Sequence, residues 1–387
     1  MPSPLLIDVT RLVDRAIQGR RPTGVDRVGL AYVGHFRQQA QALVRFAGRW
    51  VILSEPDSRR LFEGLLAPDD RFMQQARWLV GKHYALNWQR PARGSVLLNT
   101  GHSGLDGVDY GERVRRYGLR PLYFLHDLIP MSFPEYGRPG EAEKHRRRLQ
   151  AMLETGCGLI VNSAVTGSEL DDHAASLGIV APPWIAAHLA PPEFSSPAST
   201  RPLAEPYFVV LGTIEPRKNH LLLLNLWREL VGMLGQAAPR LVVIGQRGWE
   251  CEQVVDMLER CEALKGSVDE VADCGDAALA AWLYHAQALL FPSFAEGYGI
   301  PLVEALSLGT PVIASDLPVF RELAGDIPEY LDPLDGVGWR QAVLDYAAPE
   351  GTRRLDQIAR MAGWQAPTWD EHFERVEALL GRCFPAG

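Results

Sequence analysis

Two glutamates stand eight positions apart in "FPSFAEGYGIPLVEALSLGTPVIAS", residues 291 to 315. Glu296 lies in a glycine-flanked segment and Glu304 lies just inside a predicted helix. Gly297 and Gly299 let the backbone turn tightly and approach a ligand closely. The free amides at the start of the following helix are suited to binding a phosphate. This spacing therefore predicts that both carboxylates are functional and lie beside a site that binds an anion.

Both glutamates also have ordinary interpretations. Glu296 alone could be a solvated loop carboxylate. Glu304 could close a capping box, but that motif needs Ser or Thr three positions earlier, where Pro301 stands. The glycine pair alone lacks the third glycine of a dinucleotide-binding fingerprint.

A basic pair in "TIEPRKNH" points to the same chemistry. Arg217 and Lys218 come directly before a helix predicted to begin near Asn219. The start of a helix carries partial positive charge, so two cations are unfavourable there unless an anion is bound. A pyrophosphate would suit both the amides and the cations. The ordinary alternative is a solvated surface pair.

The elements that must position these residues alternate between short apolar strands and helices. Such alternation predicts mostly parallel sheets with crossover helices, and ligands then bind beyond the carboxyl ends of the strands. Predicted strands in the first half are "PLLIDV" (4–9), "RWVILS", "SVLLNT", "LYFLHD" and "GLIVNS"; those in the second half are 207–212, 240–245, 288–293 and 310–315.

A Pro-, Ser- and Ala-rich stretch at 188–206 reads as a linker between two domains. We predict an N-terminal Rossmann-like domain at 1–190 and a second at 205–365. The amphipathic segment 368–383 predicts a final helix, within a 366–387 tail that packs back toward the first domain. The fold class is thus α/β, with two Rossmann-like domains facing across a cleft.

Composition excludes several classes of protein. A chain of 387 residues is long for a single core, so two domains are the default expectation. No apolar run is long enough to span a bilayer, and "MPSPLLIDVT" has no basic or long apolar region typical of a signal peptide. A net charge of -8 disfavours nucleic acid, and five cysteines without CxxC indicate neither a disulfide framework nor a zinc site.

These motifs resemble the retaining, nucleotide-sugar-dependent glycosyltransferases of GT-B fold, a family that includes bacterial mannosyl- and rhamnosyltransferases of surface-polysaccharide assembly. The resemblance covers 205–330 and carries the family's two glutamates separated by seven residues. It implies that Glu304 accepts hydrogen bonds from the ribose and that Glu296 lies beside the donor sugar. It implies that Arg217 and Lys218 hold the pyrophosphate, with retention of configuration and no metal.

The resemblance extends the predicted donor site to Gly297, Tyr298, Gly299 and to Arg247, which follows the strand at 240–245. In the first half, Gly24 of "PTGVDR" takes the place of the family's glycine-rich loop, ahead of a helix predicted from about Val25.

Arg27 is predicted to reach the phosphates or the acceptor. His126 follows the strand "LYFL" and is either a catalytic residue or a hydrogen-bonded structural histidine. Asp127 either caps the next turn or binds a ligand. Asn162 and Ser163 end another strand as structural polar residues.

The expected donor is a nucleotide sugar, GDP-mannose or GDP- or dTDP-rhamnose, with no separate cofactor. The expected acceptor is a glycan or lipid-linked glycan. The basic run "KHRRR" at 144–148 is a solvated helix face or a patch for anionic lipid, so the protein is expected in the cytoplasm or peripherally at the inner membrane face. Alternatives are a nucleotide-sugar epimerase of the same fold and a noncatalytic scaffold.

Overall fold

The computed structural model describes residues 5–20, 22–86, 90–194, 200–348 and 351–383. These form two compact units. The first unit contains residues up to 131, residues 140–189 and residues from 369 onward; the second contains residues 132–139 and 190–368. The chain thus enters the second unit briefly at 132–139, which the sequence assigned to the domain 1–190. Pro4 of the predicted strand 4–9, residues 195–199 of the predicted linker and residues 384–387 of the predicted tail lie outside the described residues.

Most of the strands are short and apolar. In chain order they are β1 (Leu5–Asp8), β2 (Ala40–Phe46), β3 (Arg49–Ile52), β4 (Val96–Asn99), β5 (Arg120–Leu125), β6 (Gly158–Val161), β7 (Trp184–Ala186), β8 (Tyr207–Leu211), β9 (Arg240–Ile244), β10 (Val268–Val271), β11 (Leu289–Phe291), β12 (Val312–Ser315) and β13 (Glu329–Leu331).

The helices fall mostly between successive strands. In chain order they are α1 (Thr10–Ile17), α2 (Gly24–Phe36), α3 (Glu55–Leu66), α4 (Phe72–Leu86), α5 (Tyr110–Tyr117), α6 (Ile129–Ser132), α7 (Glu141–Thr155), α8 (Ala164–Ser176), α9 (His220–Leu234), α10 (Glu252–Arg260), α11 (Asp276–Tyr284), α12 (Ile300–Ser307), α13 (Pro318–Ala324), α14 (Gly336–Ala347), α15 (Thr352–Met361) and α16 (Trp369–Cys383). In the described part of the chain, none of them combines the length and apolar character needed to cross a membrane.

The sheet of the first unit has the strand order β3-β2-β1-β4-β5-β6-β7. Its strands are parallel except β3, which pairs antiparallel with β2. Every residue of β4 and β6 is buried, as expected for parallel strands covered on both faces. The sequence missed β2, because Gln41 and Arg45 interrupt its apolar run, and β7, because it has only three residues.

The sheet of the second unit is parallel throughout, in the order β10-β9-β8-β11-β12-β13. Its core packs helices on the sheet, with Leu223 and Trp227 of α9 and Trp339 of α14 fully buried. The predicted parallel α/β architecture is confirmed in both units. The sequence missed β10 and β13, whose residues are only half-buried and so lack a strong apolar pattern.

Helix α16 packs into the first unit through aromatic side chains. The Tyr32 hydroxyl lies 2.9 Å from Nε2 of His372, whose Nδ1 lies 3.0 Å from the carbonyl oxygen of His188. Since that carbonyl can only accept, Nδ1 carries the proton and the Tyr32 hydroxyl donates to Nε2. Phe373 stacks on His35, with ring centroids 3.9 Å apart. Burial lowers the pKa of His372 to about 4, so the ring is neutral at pH 7.

The basic run at 144–148 on α7 is not a continuous cationic face. His145 is buried, and Arg148 pairs with Glu141 at 3.0 Å. Arg146 and Arg147 share the carboxylate of Glu143. Each arginine of the run therefore has an acidic partner on the same helix, which favours the solvated-face interpretation of this run.

We predict that Tyr32→Phe lowers the free energy of unfolding by about 1–3 kcal/mol, because Nε2 of buried His372 loses its donor. Urea unfolding of the full chain measures this change. Tyr84→Phe is the control, since the Tyr84 hydroxyl makes no hydrogen bond to a described residue and its ring contacts stay. Equal stability of the two variants would contradict the role assigned to this bond.

Candidate functional site

The segment after β8 is held by the segment after β9. Ile214 N donates to Gln246 O at 2.9 Å, and Gly248 N donates to Ile214 O at 3.0 Å. A Cβ on Gly245 would lie 1.9 Å from the carbonyl oxygen of Gly212, so glycine is required for this close approach. The polar residues that follow Ile214 therefore start from a fixed backbone position.

Those residues form a buried charge cluster with Glu296, which we call the carboxylate–cation cluster: Glu215, Arg217, Lys218 and Glu296. Lys218 Nζ lies 2.5 Å from Glu296 Oε1, and Arg217 Nη1 lies 2.8 Å from Glu296 Oε2. Arg217 Nε also lies 2.8 Å from Glu215 Oε1. The side chains of Glu296 and Lys218 are only 7% and 9% exposed. The signs alternate along the cluster, and its four formal charges cancel.

The pairing fixes the protonation of Glu296. Burial would raise the pKa of its carboxyl group, but the positive charges of Arg217 and Lys218 outweigh burial and hold the pKa at about 2. Burial lowers the pKa of Lys218, and the Glu296 carboxylate opposes that shift. Glu296 is therefore a carboxylate at neutral pH, held by two cations in a poorly solvated place.

The cluster shows which negative charges compensate Arg217 and Lys218. The sequence suggested that Arg217 and Lys218 need an external anion. In the structure two carboxylates of the protein already supply it. Glu296 follows β11, and β11 pairs directly with β8, so residues 78 positions apart meet at the same edge of the sheet. The predicted proximity of Glu296 to the basic pair is thus observed, and the cations are less exposed than expected.

The glycine-containing stretch "EGYG" leads directly into α12. The helix begins at Ile300, and Gly299 takes a φ of +122°. A Cβ at Gly299 would lie 2.7 Å from the ring of Phe320, so a side chain would meet both strain and a clash. Tyr298 and Glu304 are buried, with 4% and 3% exposure. Glu304 is therefore a helical carboxylate inside the unit, as its sequence position predicted.

Arg247 lies after β9, as predicted, and is ion-paired with carboxylates of the protein. Its guanidinium lies 2.8 Å from a carboxylate oxygen of Glu270 and 2.5 Å from one of Glu259. These two carboxylates raise the pKa of this exposed arginine. No described contact joins it to the carboxylate–cation cluster. The sequence placed Arg247 at the correct strand end, but β10, which carries Glu270, was not predicted.

Gly24 and Arg27 belong to a capped helix start in the first unit. Gly24 is the first residue of α2, not the residue before it, and α1 stands between β1 and Gly24. Asp26 closes a capping box at this start and lies 2.7 Å from Nε of both Arg11 and Arg15. Helix α1, which was not predicted, therefore separates Gly24 from the first strand, and the role of Gly24 in a glycine-rich loop stays a prediction. Arg27 is half-buried in the first turn of α2.

His126 lies at the end of β5, as predicted, and is 7% exposed. Its Nε2 lies 2.7 Å from Thr100 O, and Asn162 Nδ2 donates to the His126 carbonyl at 2.7 Å. The Asp127 carboxylate accepts from Ile129 N at 3.1 Å, which confirms the turn-capping interpretation of Asp127. Ser163 caps α8, as a structural polar residue would.

Several polar residues at these strand ends were missed by sequence reasoning. Glu215 and His220 flank the basic pair, and His102 and His145 lie near His126. His220 is 2% exposed, and neither ring nitrogen has a hydrogen-bond partner among the described residues. Burial, with the charge of Lys218 second, lowers its pKa to about 4. Glu215 and His220 could have been found from the sequence, because they flank the basic pair within "EPRKNH".

Part of the chain is similar to a known family. Residues 193–327 match the family "Glycosyl transferases group 1". The serotype-specific mannosyltransferase WbdA of Escherichia coli is 29% identical over 245 residues, which cover 58% of this chain and 29% of WbdA. The O-antigen chain mannosyltransferase B of E. coli is 27% identical over 261 residues, covering 65% of this chain and 67% of that protein. The chain thus spans less than a third of the length of WbdA.

Solved structures share the fold of the chain. Anabaena HepE in complex with UDP and glucose superposes with a TM-score of 0.67 at 14% identity, covering 98% of this chain and all of HepE. Such low identity establishes the architecture alone. Together with the two parallel α/β units, it identifies the GT-B fold that the sequence resemblance implied.

We predict that Glu296→Gln lowers the free energy of unfolding by about 3–5 kcal/mol, because two cations lose their shared buried carboxylate. The control is Glu262→Gln, whose carboxylate is 81% exposed and pairs with Lys265. Loss of that surface pair is expected to cost less than about 1 kcal/mol. Chemical unfolding at pH 7 compares both variants with the wild type; similar small losses would mean that the Glu296 pairs contribute no more than a surface pair.

Proposed function

Since residues 193–327 belong to the glycosyl transferases group 1 family and the chain has the GT-B fold, we propose that the protein transfers a sugar from a nucleotide sugar to a growing bacterial surface glycan. The observation that carries the proposal is the carboxylate–cation cluster. It lies within the family domain and joins a buried carboxylate to two cations at the carboxyl end of a parallel sheet. That edge is where ligands of open α/β sheets bind.

The cations would hold the diphosphate of the donor. Arg217 is the more accessible of the two, with a side chain 21% exposed against 9% for Lys218. Because the cluster is neutral, an arriving diphosphate competes with Glu215 and Glu296 for the guanidinium. Charge-assisted hydrogen bonds to the leaving diphosphate are stabilising where negative charge develops.

The competition between the diphosphate and Glu296 for Arg217 determines the role of Glu296 in the reaction. When the diphosphate takes a share of the cations, the Glu296 carboxylate keeps its negative charge in a poorly solvated place. It then faces the positive charge that develops at the anomeric carbon as the sugar leaves. We place the acceptor on the same face as the departing diphosphate, which gives retention of configuration.

Residues in α12 and directly before it would make the remaining contacts to the donor. The buried carboxylate of Glu304 has the acceptor capacity to receive both hydroxyls of a ribose. Gly297, Tyr298 and Gly299 would bring the backbone at the start of the helix close to the donor. Backbone around 271–276 would contact the base. Arg247, held by two glutamates, has no part in this proposal.

The relatives suggest the sugar. Two of them carry mannosyltransferase in their names, which supports GDP-mannose first and a GDP- or dTDP-activated rhamnose second. HepE is described with UDP and glucose, so UDP-glucose belongs in the same screen. The acceptor we propose is a glycan, lipid-linked during assembly, with the protein acting peripherally at the cytoplasmic face of the membrane.

The deciding experiment measures the nucleoside diphosphate that is released with and without acceptor. Release that requires the acceptor is expected for a transferase. Conversion of the donor alone would indicate an epimerase, and donor binding without any turnover would indicate a scaffold.

We predict that transfer does not require a divalent metal, because Arg217 and Lys218 can neutralise the diphosphate themselves. Turnover in excess EDTA is expected to stay within about 2-fold of turnover in Mg²⁺, well below the roughly 10²–10³-fold effect of removing an electrostatic stabiliser. Activity that disappears in EDTA and returns with Mg²⁺ or Mn²⁺ would overturn this mechanism.

We predict that the two glutamates separate kinetically. Glu304→Ala removes a contact present in ground and transition states, so the donor and the free nucleoside diphosphate should both bind more weakly. Glu296→Gln should lower turnover by about 10²-fold or more without weakening nucleoside diphosphate binding, because the carboxylate that competes for the cations is removed. Calorimetry and steady-state rates, taken where circular dichroism shows each variant folded, provide the measurement. Glu262→Gln is the exposed control, and equal loss of nucleotide affinity in both variants with turnover retained would refute the assignment.

A further inference from the structure

Three aromatic side chains of the second unit form a row of stacked rings: Phe133, Tyr136 and Phe294, here called the aromatic ladder. The rings of Tyr136 and Phe294 are inclined by 11°, with centroids 5.5 Å apart. Those of Phe133 and Tyr136 are inclined by 26°, with centroids 6.0 Å apart. Phe133 and Tyr136 belong to the segment 132–139, by which the chain first enters this unit, and Phe294 follows β11. Side chains distant in sequence thus form one row, with Tyr136 in the middle.

The middle of the ladder is fixed by Trp249, which lies in the segment after β9. Trp249 Nε1 donates to the carbonyl oxygen of Tyr136 at 3.1 Å. The guanidinium of Arg138 lies 5.2 Å from the centroid of the Trp249 ring. Between the two outer rings of this segment the backbone is compact, since Pro134–Tyr136 form one turn of 3-10 helix. The backbone that carries the ladder is therefore bound to the segment after β9.

The inner end of the ladder is joined to the carboxylate–cation cluster. Phe294 N donates to Arg217 O at 2.8 Å, and Arg217 Nη1 donates to Ala295 O at 2.9 Å. Glu296 is two residues further along the chain, so the Cα atoms of Phe294 and Glu296 are at most about 7 Å apart. The ladder therefore leads away from the place where the proposed function puts the reacting sugar.

The outer end of the ladder is open to solvent. Phe133 is 37% exposed, whereas Tyr136 and Phe294 are half-buried. No hydrogen bond to a described residue occupies the Tyr136 hydroxyl. Burial, with the exposed Glu135 carboxylate second, raises the pKa of Tyr136. The hydroxyl therefore keeps its proton at neutral pH and can both donate and accept a hydrogen bond.

We propose that the aromatic ladder binds the acceptor glycan, with a sugar ring lying on Phe133 and Tyr136. The face of an aromatic ring carries partial negative charge and attracts the C–H groups on the apolar face of a pyranose, and both surfaces leave water on contact. Hydroxyls at the edge of the sugar can then bond to the Tyr136 hydroxyl and to Glu135. Because the ladder leads away from Glu296, its ligand is a sugar next to the reacting end of the glycan. That this ligand is the acceptor rests on the proposed function; that the ladder binds a sugar ring does not.

The first measurement is direct binding in the absence of a donor. Calorimetric titration of the full chain uses a linear oligosaccharide of α-linked mannose as the probe, because the relatives named above include mannosyltransferases. We expect saturable binding by the wild type that Phe133→Leu weakens by about 10-fold, since leucine stays apolar but lacks the ring face. Phe133→Tyr keeps that face and is expected to stay within about 2-fold of the wild type.

The control is Tyr284→Leu, since Tyr284 is 52% exposed in the same unit and its described ring contact is with His285. Absence of saturable binding by the wild type, equal affinity of Phe133→Leu and the wild type, or an equal loss in Phe133→Tyr or in the control would overturn the proposal. If Phe133→Leu does not fold, Tyr136→Phe replaces it. Loss of its hydroxyl is expected to weaken glycan binding by about 2–10-fold, and unchanged affinity would then overturn the proposal.

The second measurement assigns the bound sugar to the acceptor. Phe133→Leu is expected to raise the KM for the glycan by about 10-fold and to leave kcat and the KM for the nucleotide sugar near the wild type, since the ladder contacts the glycan equally in the ground and transition states. Weaker nucleoside diphosphate binding would instead place the nucleobase on the ladder, because bases also stack on aromatic rings, and would refute the proposal. Absence of turnover by the wild type with every nucleotide sugar would refute the proposed function, while the glycan titration would still decide whether the ladder binds a sugar.

Discussion

The ion pairs of Glu296 with Arg217 and Lys218 are the constraint on which the second unit depends. A buried carboxylate and a buried ammonium are each costly away from water, and each is tolerated here because the other is within 2.5 Å. That distance requires β8 and β11 to be neighbours in the sheet and the segment after β8 to be fixed against the segment after β9. The glycine at 245 allows this contact. Fold and site are therefore specified by the same few interactions.

The two units provide different electrostatic environments at their strand ends. In the second unit, opposite charges alternate and cancel, so a negatively charged ligand can exchange partners with the protein. In the first unit, burial lowers the pKa of His102, His126 and His145, and cations such as Arg11 and Arg15 are bound to Asp26.

The local sequence pattern was sufficient to predict the strands and helices that carry the carboxylate–cation cluster of the second unit. The apolar residues of α9 and the strand pattern of β8 and β9 are strong. Glu296 follows a buried strand next to β8, so its convergence with the basic pair followed from topology. What could not be predicted depends on partners far away in sequence. The ion pairs of Arg247 could not be predicted, because nothing local shows that Glu259 and Glu270 contact it. Helix α1, between β1 and Gly24, was also not predicted.

The position of α16 along the chain has a consequence for biosynthesis. Phe373, Val376 and Leu379 of this helix are buried in the first unit, although all of the 190–368 segment precedes them. The ribosome therefore exposes most of the first unit long before its last core residues exist, and the aromatic surface around Tyr32 and Phe36 stays uncovered during that time. The second unit has its complete set of residues earlier, by residue 368. The order of synthesis thus favours maturation of the second unit first, with the first unit completed only once α16 has been synthesised and open to chaperones until then.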